Sequence, residues 1–391
     1  MNLSFDFVDS RVVNGLRIKQ AREKALLTQA GLAKAVSVSQ PMIAHIEQGL
    51  KQCSSDLADK IAKSTGARRE FLCRPSGPTL PLGSMLFRAR ADTPAKKFAQ
   101  THATANIVLE IFVELAEKFQ LPSVKLQPIA ARPEEAAART RTMLGLDDSS
   151  PIPHLMRAFE KAGGVILALP ELEGREAFAV WEGSRPVIGI GPCASGDRLR
   201  FSMAHEIGHL ILHNSPTAMA QAEKEAHRFA GELLAPREAF VRDLSGALTF
   251  EKLGLLKRKW GIAMSAILFR AKELQIITRR SYDRLIIELA PYRTQEPSEY
   301  WIPVEKPRAL RQMAEVLFGS TLMIESIAEK LSLPSEFVSD ILNRYASSQE
   351  IAVSNRKRKV VSIQTARKHH DRNTELNWPI LTSRSTMEPV G

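Results

Sequence analysis

The sequence predicts an α+β protein, mainly α with one small antiparallel β-sheet: an all-α N-terminal domain, a central domain holding the sheet, and a helical C-terminal region. Three observations carry this. Apolar residues recur at three- and four-residue spacing through most of the chain. Only residues 165–190 hold short strand-like runs separated by turn residues. Directly after them, His205-Glu206-Ile207-Gly208-His209 places an H-E-x-x-H pattern on an apolar helix.

Composition narrows the class. With 391 residues, 44% hydrophobic and 25% charged, the chain has ample material for globular cores. Its longest apolar runs, such as Val165–Leu169, fall far short of a membrane span, and Asp6 and Asp9 stand where a signal peptide would be basic and then apolar. A cytoplasmic protein with no membrane partner is expected. Cys53, Cys73 and Cys193 are odd in number and widely spaced, which implies neither a disulfide framework nor a C-x-x-C metal site. The net charge of +11 is concentrated at the two ends. Residues 11–75 hold 12 Lys and Arg against 5 Asp and Glu, and residues 352–391 hold 8 against 3. Contact with a polyanion is therefore expected at the ends and not in the middle. Composition shifts divide the chain into residues 12–75, 76–150, 151–292, 293–353 and 354–391.

The N-terminal domain, 12–75, reads as short helices with tight connections. Leu16, Ile18 and Ala21 lead to a helix over Gln29–Ala35 with Thr28 as N-cap, then a turn through Val36-Ser37-Val38-Ser39. A second helix follows over Gln40–Glu47, with Ser39 as N-cap and Pro41 tolerated in the first turn. Ile43 and Ile46 face inward, whereas Gln40, Pro41, Ala44 and His45 face outward. Two short helices with a polar outer face on the second are what a major-groove reader needs. Thr28-Gln29, Leu32-Ala33, Val38-Ser39, Ile43, Ile46-Glu47 and Gly49 resemble the pattern of the XRE family of Cro/repressor-like helix-turn-helix proteins. The resemblance implies a double-stranded DNA operator as partner. It places Gln29 on a phosphate and sets Gln40, Pro41, Ala44 and His45, with Ser39 at the helix start, where that family meets DNA. A homodimer is expected, since one half-site gives modest specificity.

Residues 76–150 open with a Pro/Gly-rich linker and then turn helical. Ile107, Val108, Ile111, Phe112 and Leu115 form an apolar stripe on a helix over Ala103–Phe119. Glu134–Arg139 and Leu155–Ala162 read as further helices, the latter ended by Gly163-Gly164. The strands Val165–Leu169, Phe178–Trp181 and Pro186–Ile190, separated by Glu173-Gly174 and Glu182-Gly183-Ser184, are expected to form an antiparallel meander. A sheet edge beside a metal helix can hold an extended peptide by main-chain pairing.

The helix carrying H-E-x-x-H begins near Asp197. Residues four apart lie on one face about 6 Å apart along the axis, so His205 and His209 can aim at one ion. Glu206, rotated by about 100°, suits a carboxylate that takes a proton from the attacking water. A third ligand must come from elsewhere. Gly208 costs about 1 kcal/mol relative to Ala within a helix, which points to a close backbone neighbour. His213 lies about 12 Å along the axis from His205, too far for one ion, so it packs or supports a ligand from outside. A second helix over Glu223–Ala235 buries Ala226, Phe229, Ala230, Leu233 and Leu234. Glu225 lies about 40° from Phe229 and Glu223 about 20° from Ala230 on a helical wheel, so periodicity does not choose between the two carboxylates.

The stretch Arg200–His213 and the following Glu225–Pro236 resemble the ImmA/IrrE family of metallo-endopeptidases, whose pattern is R-F-x-x-A-H-E-x-G-H-x-x-L-H and then E-A-N-x-F-A-x-x-L-L-x-P. His227 stands where that family has Asn, and Ala235 where it has Met. The resemblance implies a zincin-like fold over 151–292, completed by a helical extension that includes Phe250–Trp260, with Zn2+ held by His205, His209 and Glu225 and with Glu206 as general base. Glu223, His227 and Glu232 remain as other candidates for the third ligand. It also implies a repressor or antitoxin-like protein as substrate. A transcription factor whose zincin-like domain senses a ligand or partner without cleaving fits the same residues. Beyond an irregular linker, 293–353 reads as a helical C-terminal domain, in which Ile327–Val338 imitates another helix-turn-helix. The tail 354–391, with Arg356-Lys357-Arg358-Lys359, is basic and reads as flexible.

Overall fold

The structure, a computed structural model, describes residues 12–81, 94–172, 177–213, 218–292 and 296–352. The turn at Glu173-Gly174 and the tail from 354 lie outside the described residues. The chain forms two compact units: Met1–Leu121 with Leu167–Glu171 and Pro307–Gly391, and Pro122–Ile166 with Leu172–Lys306. These cut across the five segments read from the sequence. The 76–150 stretch is divided between both units, and the C-terminal helices belong to the same unit as the N-terminal ones.

The first unit begins with α1 (Gly15–Lys24), α2 (Gln29–Ala35), α3 (Gln40–Glu47), α4 (Ser55–Thr65) and α5 (Arg69–Cys73). Polar side chains start four of them: Asn14, Thr28, Ser39 and Ser54 accept from the backbone N–H groups of Leu16, Gly31, Met42 and Leu57. Each satisfies a donor that the first helical turn leaves without a partner. Between α2 and α3 the backbone reverses at Ser37, whose φ is 58°. Ile18, Leu32, Ile43 and Ile61 are fully buried between these helices.

The helix expected over 103–119 is longer at its start: α6 spans Ala95–Ala116 and buries Ile107, Val108, Ile111, Phe112 and Leu115. The Pro/Gly-rich segment before it is anchored as far as it is described. Leu80 is fully buried, and its N–H donates to Asn106 Oδ1 at 2.8 Å. Arg17 of α1 is 1% exposed and forks onto Glu110 of α6, with both guanidinium nitrogens 2.5–2.6 Å from the carboxylate. Arg74 meets Glu110 at 3.0 Å and also pairs with Glu114. α15 (Ala309–Phe318), α16 (Ile324–Lys330) and α17 (Ser335–Asn343), numbered after the second unit's helices, complete this unit. The turn at Ser332 (φ 54°) repeats the geometry at Ser37, down to the hydrogen bonds of the three residues around it. The outer positions of α17 are Glu336 and Asp340, both exposed and acidic. Phosphates would repel them, so the repeated turn here serves packing and not groove reading.

The second unit contains α7 (Pro133–Met143), α8 (Leu155–Lys161), α9 (Gly196–Leu212), α10 (Met219–Leu234), α11 (Arg237–Asp243), α12 (Phe250–Trp260), α13 (Met264–Glu273) and α14 (Arg279–Leu289). Its strands are β2 (Ala177–Glu182) and β3 (Arg185–Ile190), while β1 (Val165–Ala168) begins in this unit and ends in the first. β2 and β3 form the expected antiparallel hairpin, with Ala177 opposite Ile190 and Glu182 opposite Arg185. The meander is corrected in one respect: the order is β1-β3-β2 and the sheet is mixed, so β3, not β2, is central. The connections explain this. A two-residue turn, with Gly183 at φ 57°, forces β2 and β3 to pair, whereas the longer 169–176 connection lets β2 lie one strand beyond β3. The central place of β3 matches its apolar run, buried from Pro186 to Ile190.

Helix α9 lies against this sheet and α10. Trp181 of β2 donates its indole N–H to Leu210 O at 3.1 Å. Gly208 shows why a glycine is required: a Cβ there would meet Phe229 Cδ1 at 2.9 Å and Ala226 Cα at 3.2 Å, both on α10. The start of α9 is held by buried ion pairs. Asp197 takes Lys257 Nζ at 2.6 Å. Glu305 pairs with Arg200, accepts from Met156 N at 2.9 Å and lies 3.0 Å from His154 Nδ1. Burial alone would raise the Glu305 pKa, but His154 and Arg200 outweigh it and hold the carboxyl at about 2. Its ordinary value is 4.5, so the stability it contributes is fully present above pH 4.5 and is lost as pH falls from there towards 2. Thermal melting of wild type and Glu305→Gln is therefore expected to differ at pH 6, by an amount that shrinks as pH falls below 4.5 and vanishes only near pH 2; a constant difference across that range would contradict the assignment.

Candidate metal centre and nucleic-acid interface

In the second unit, successive turns of α9 bring His205 and His209 onto one face, with Nε2 atoms 3.1 Å apart. Glu223, near the start of α10, completes a triangle. Its Oε2 lies 3.2 Å from His205 Nε2 and its Oε1 3.2 Å from His209 Nε2. Among the described residues this is the group of His, Cys, Asp and Glu side chains that could hold a metal ion. The dimensions fit zinc. Ligand atoms about 2.0–2.1 Å from a tetrahedral centre are about 3.3–3.4 Å from one another, and two imidazoles with one carboxylate form a known catalytic donor set. His209 is nearly buried, whereas the Glu223 side chain is 54% exposed, so the group opens towards solvent on the carboxylate side. Glu206, next to the first histidine, is 7% exposed.

Glu225 does not join this triangle. Its Oε2 lies 3.1 Å from His213 Nε2, and its Oε1 accepts from Gln221 Nε2 at 2.6 Å. Positions 223 and 225 are about 200° apart on the helix, so they leave opposite flanks of the stripe Ala226-Phe229-Ala230-Leu233. The flank facing His205 and His209 carries Glu223; the flank facing His213 carries Glu225. The remaining candidates are engaged elsewhere. Glu232 pairs with Arg270 at 2.5 Å, and the His227 ring lies 4.9 Å from that of Phe201 and 5.9 Å from that of Phe269. Periodicity left Glu223 and Glu225 both open, and only the motif pattern pointed to Glu225.

In the first unit, α3 turns Gln40, Pro41 and His45 outward, with Ala44 half-buried beside them and Ser39 exposed at the cap. Gln29 is not simply a surface residue. Its Nε2 donates to Glu47 Oε2 at 2.9 Å, and its Oε1 accepts from Gln40 Nε2 at 3.1 Å. Glu47 is itself gripped by Arg22, whose Nε and Nη2 lie 2.5 and 2.9 Å from its two oxygens. A buried ion pair thus orients Gln29, and Gln29 in turn orients Gln40 at the start of α3. The outer face is left with amide, imidazole and small apolar groups, which can meet base edges without electrostatic conflict.

Comparison with known families finds a match over each of the two regions. A family model described as helix-turn-helix matches residues 18–72, which supports DNA binding. One described as an IrrE N-terminal-like domain, of a peptidase family that is typically metal-dependent, matches residues 159–272. No curated protein gives a match to the chain. Among the described residues, no helix is long and apolar enough to cross a membrane. The chain thus joins an XRE-type helix-turn-helix DNA-binding domain to a protease-like domain of the IrrE/ImmA type.

Proposed function

We propose that this chain is a DNA-binding regulator whose second domain is a zinc-dependent endopeptidase, acting in the cytoplasm on a repressor or antitoxin-like protein. The convergence of His205, His209 and Glu223 beside Glu206 carries this reading. These three residues would hold Zn2+, with Glu223 in the place that the motif pattern gives to Glu225. When bound, zinc lowers the pKa of water at its open position and polarises a carbonyl. Glu206 accepts the proton of the attacking water and passes it to the leaving amine. β2, an end strand of the sheet packed beside α9, offers an edge on which an extended peptide can pair through its main chain. On the DNA side, Gln29 contacts a phosphate. Ser39, Gln40, Pro41, Ala44 and His45 face the major groove of the operator, which a homodimer reads as two half-sites.

The test uses the purified full chain loaded with zinc and incubated with each protein encoded beside its own gene. Wild type is expected to bind one zinc and to cut one of these proteins. Glu223→Ala is expected to lose both the zinc and the cut. One zinc retained by Glu223→Ala would remove Glu223 from the ligand set, and failure of the wild type to cut any neighbour while it still binds its operator would favour a non-proteolytic sensor.

A further inference from the structure

We propose that His213 and Glu225 form an outer relay that fixes the tautomer and orientation of His209, which makes both of them positioning residues for the metal ligand. This rests on the ligand set proposed above. The contacts run in a line: His209 Nδ1 to His213 Nδ1 at 3.0 Å, and His213 Nε2 to Glu225 Oε2 at 3.1 Å. The second carboxylate oxygen is held by the Gln221 amide at 2.6 Å. His209 and His213 side chains are only 6% and 8% exposed, so water competes poorly for either imidazole contact.

The proton arrangement follows from what each group can do. A neutral imidazole carries one N–H and one lone pair, and a carboxylate only accepts. Glu225 therefore requires the proton of His213 on Nε2, which leaves the lone pair of His213 Nδ1 facing His209. That lone pair requires the proton of His209 on Nδ1, and so frees the Nε2 lone pair of His209, the atom that faces His205 and Glu223. One chain of donations, His209 to His213 to Glu225, satisfies every contact and leaves the ligating nitrogen unprotonated. The opposite direction would put a proton on His209 Nε2, inside the metal set, and would ask a carboxylate to donate. A carboxylate joined to a ligating imidazole in this way raises the ligand's basicity and holds its ring plane. Here His213 extends the reach by one ring. This is the use the chain has for a third histidine at the same four-residue interval, one turn too far along α9 to ligate beside His205.

The test reads zinc itself in the full chain. Zinc dissociation constants are measured by competition with a chromophoric chelator, and the side-chain nitrogen shifts of His209 are measured by NMR in the zinc-loaded protein. Wild type is expected to show His209 protonated on Nδ1. Glu225→Gln, which keeps the shape and removes the charge, and His213→Phe, which removes the acceptor, are each expected to keep one zinc but to weaken it about 10–100-fold. Wild-type affinity in both variants, or His209 protonated on Nε2, would overturn the relay and leave the ligand set standing. Complete loss of zinc in Glu225→Gln with retention in Glu223→Ala would make Glu225 the ligand and overturn both.

Discussion

Glu206→Gln is expected to bind one zinc with unchanged stoichiometry and to cut its protein substrate about 10²–10⁴-fold more slowly than wild type, the usual contribution of a positioned general acid–base group. The substitution keeps the side-chain volume, which matters because position 206 is 7% exposed and packed within the unit. It removes only the capacity to take up a proton. The ligand set proposed for zinc is His205, His209 and Glu223, without Glu206, so metal content is not expected to move. Parallel measurement of metal content and single-turnover cleavage separates the two roles. Full cleavage by Glu206→Gln would place the proton acceptor elsewhere, and loss of zinc would show that Glu206 belongs to the ligand set.

The second large effect is expected in the DNA-binding domain. Glu47→Ala leaves the Arg22 guanidinium, 7% exposed, without its bidentate carboxylate and with only the longer 3.5 Å pair to Glu23. Removing one member of a buried ion pair costs about 3–5 kcal/mol, because the remaining charge stays desolvated. That is a large fraction of the roughly 5–15 kcal/mol that holds an ordinary domain together. The same change frees Gln29, and with it the contact to Gln40, so operator binding is expected to fall with stability. Thermal melting and operator binding measured at low temperature report both effects. A surface pair would give the opposite result, a change within about 1 kcal/mol, since exposed ion pairs are screened. A melting temperature within a degree or two of wild type would thus show that Glu23, already 3.5 Å from Arg22, takes over the pair.

Much of this architecture is legible in the sequence. The caps Thr28 and Ser39 and the apolar stripe of α6 were readable because each is a local pattern whose meaning depends on residues within two turns. Gly208 was informative for the same reason: a helix-breaking residue inside an apolar helix implies a neighbour, and α10 is that neighbour. The pairing order of the strands was not readable. Alternation and turn residues mark where strands are, but the choice between β2 and β3 as the partner of β1 depends on how far a connection of several residues carries the chain.

The candidate site divides along the same line. The sequence by itself determined the family of chemistry, since His205, Glu206 and His209 lie on one helix and their mutual geometry follows from 3.6 residues per turn. The family resemblance pointed to Glu225 on α10 as the third ligand and left Glu223, His227 and Glu232 open. Which carboxylate arrives beside His205 and His209 was decided only by the tertiary structure, because on an isolated helix Glu223 and Glu225 flank the apolar stripe on opposite sides, each within a few tens of degrees of it. They become distinct once the close approach at Gly208 sets how α10 is rotated against α9. A helix fixes its own side-chain directions. Its rotation about its axis is fixed only by what it packs against.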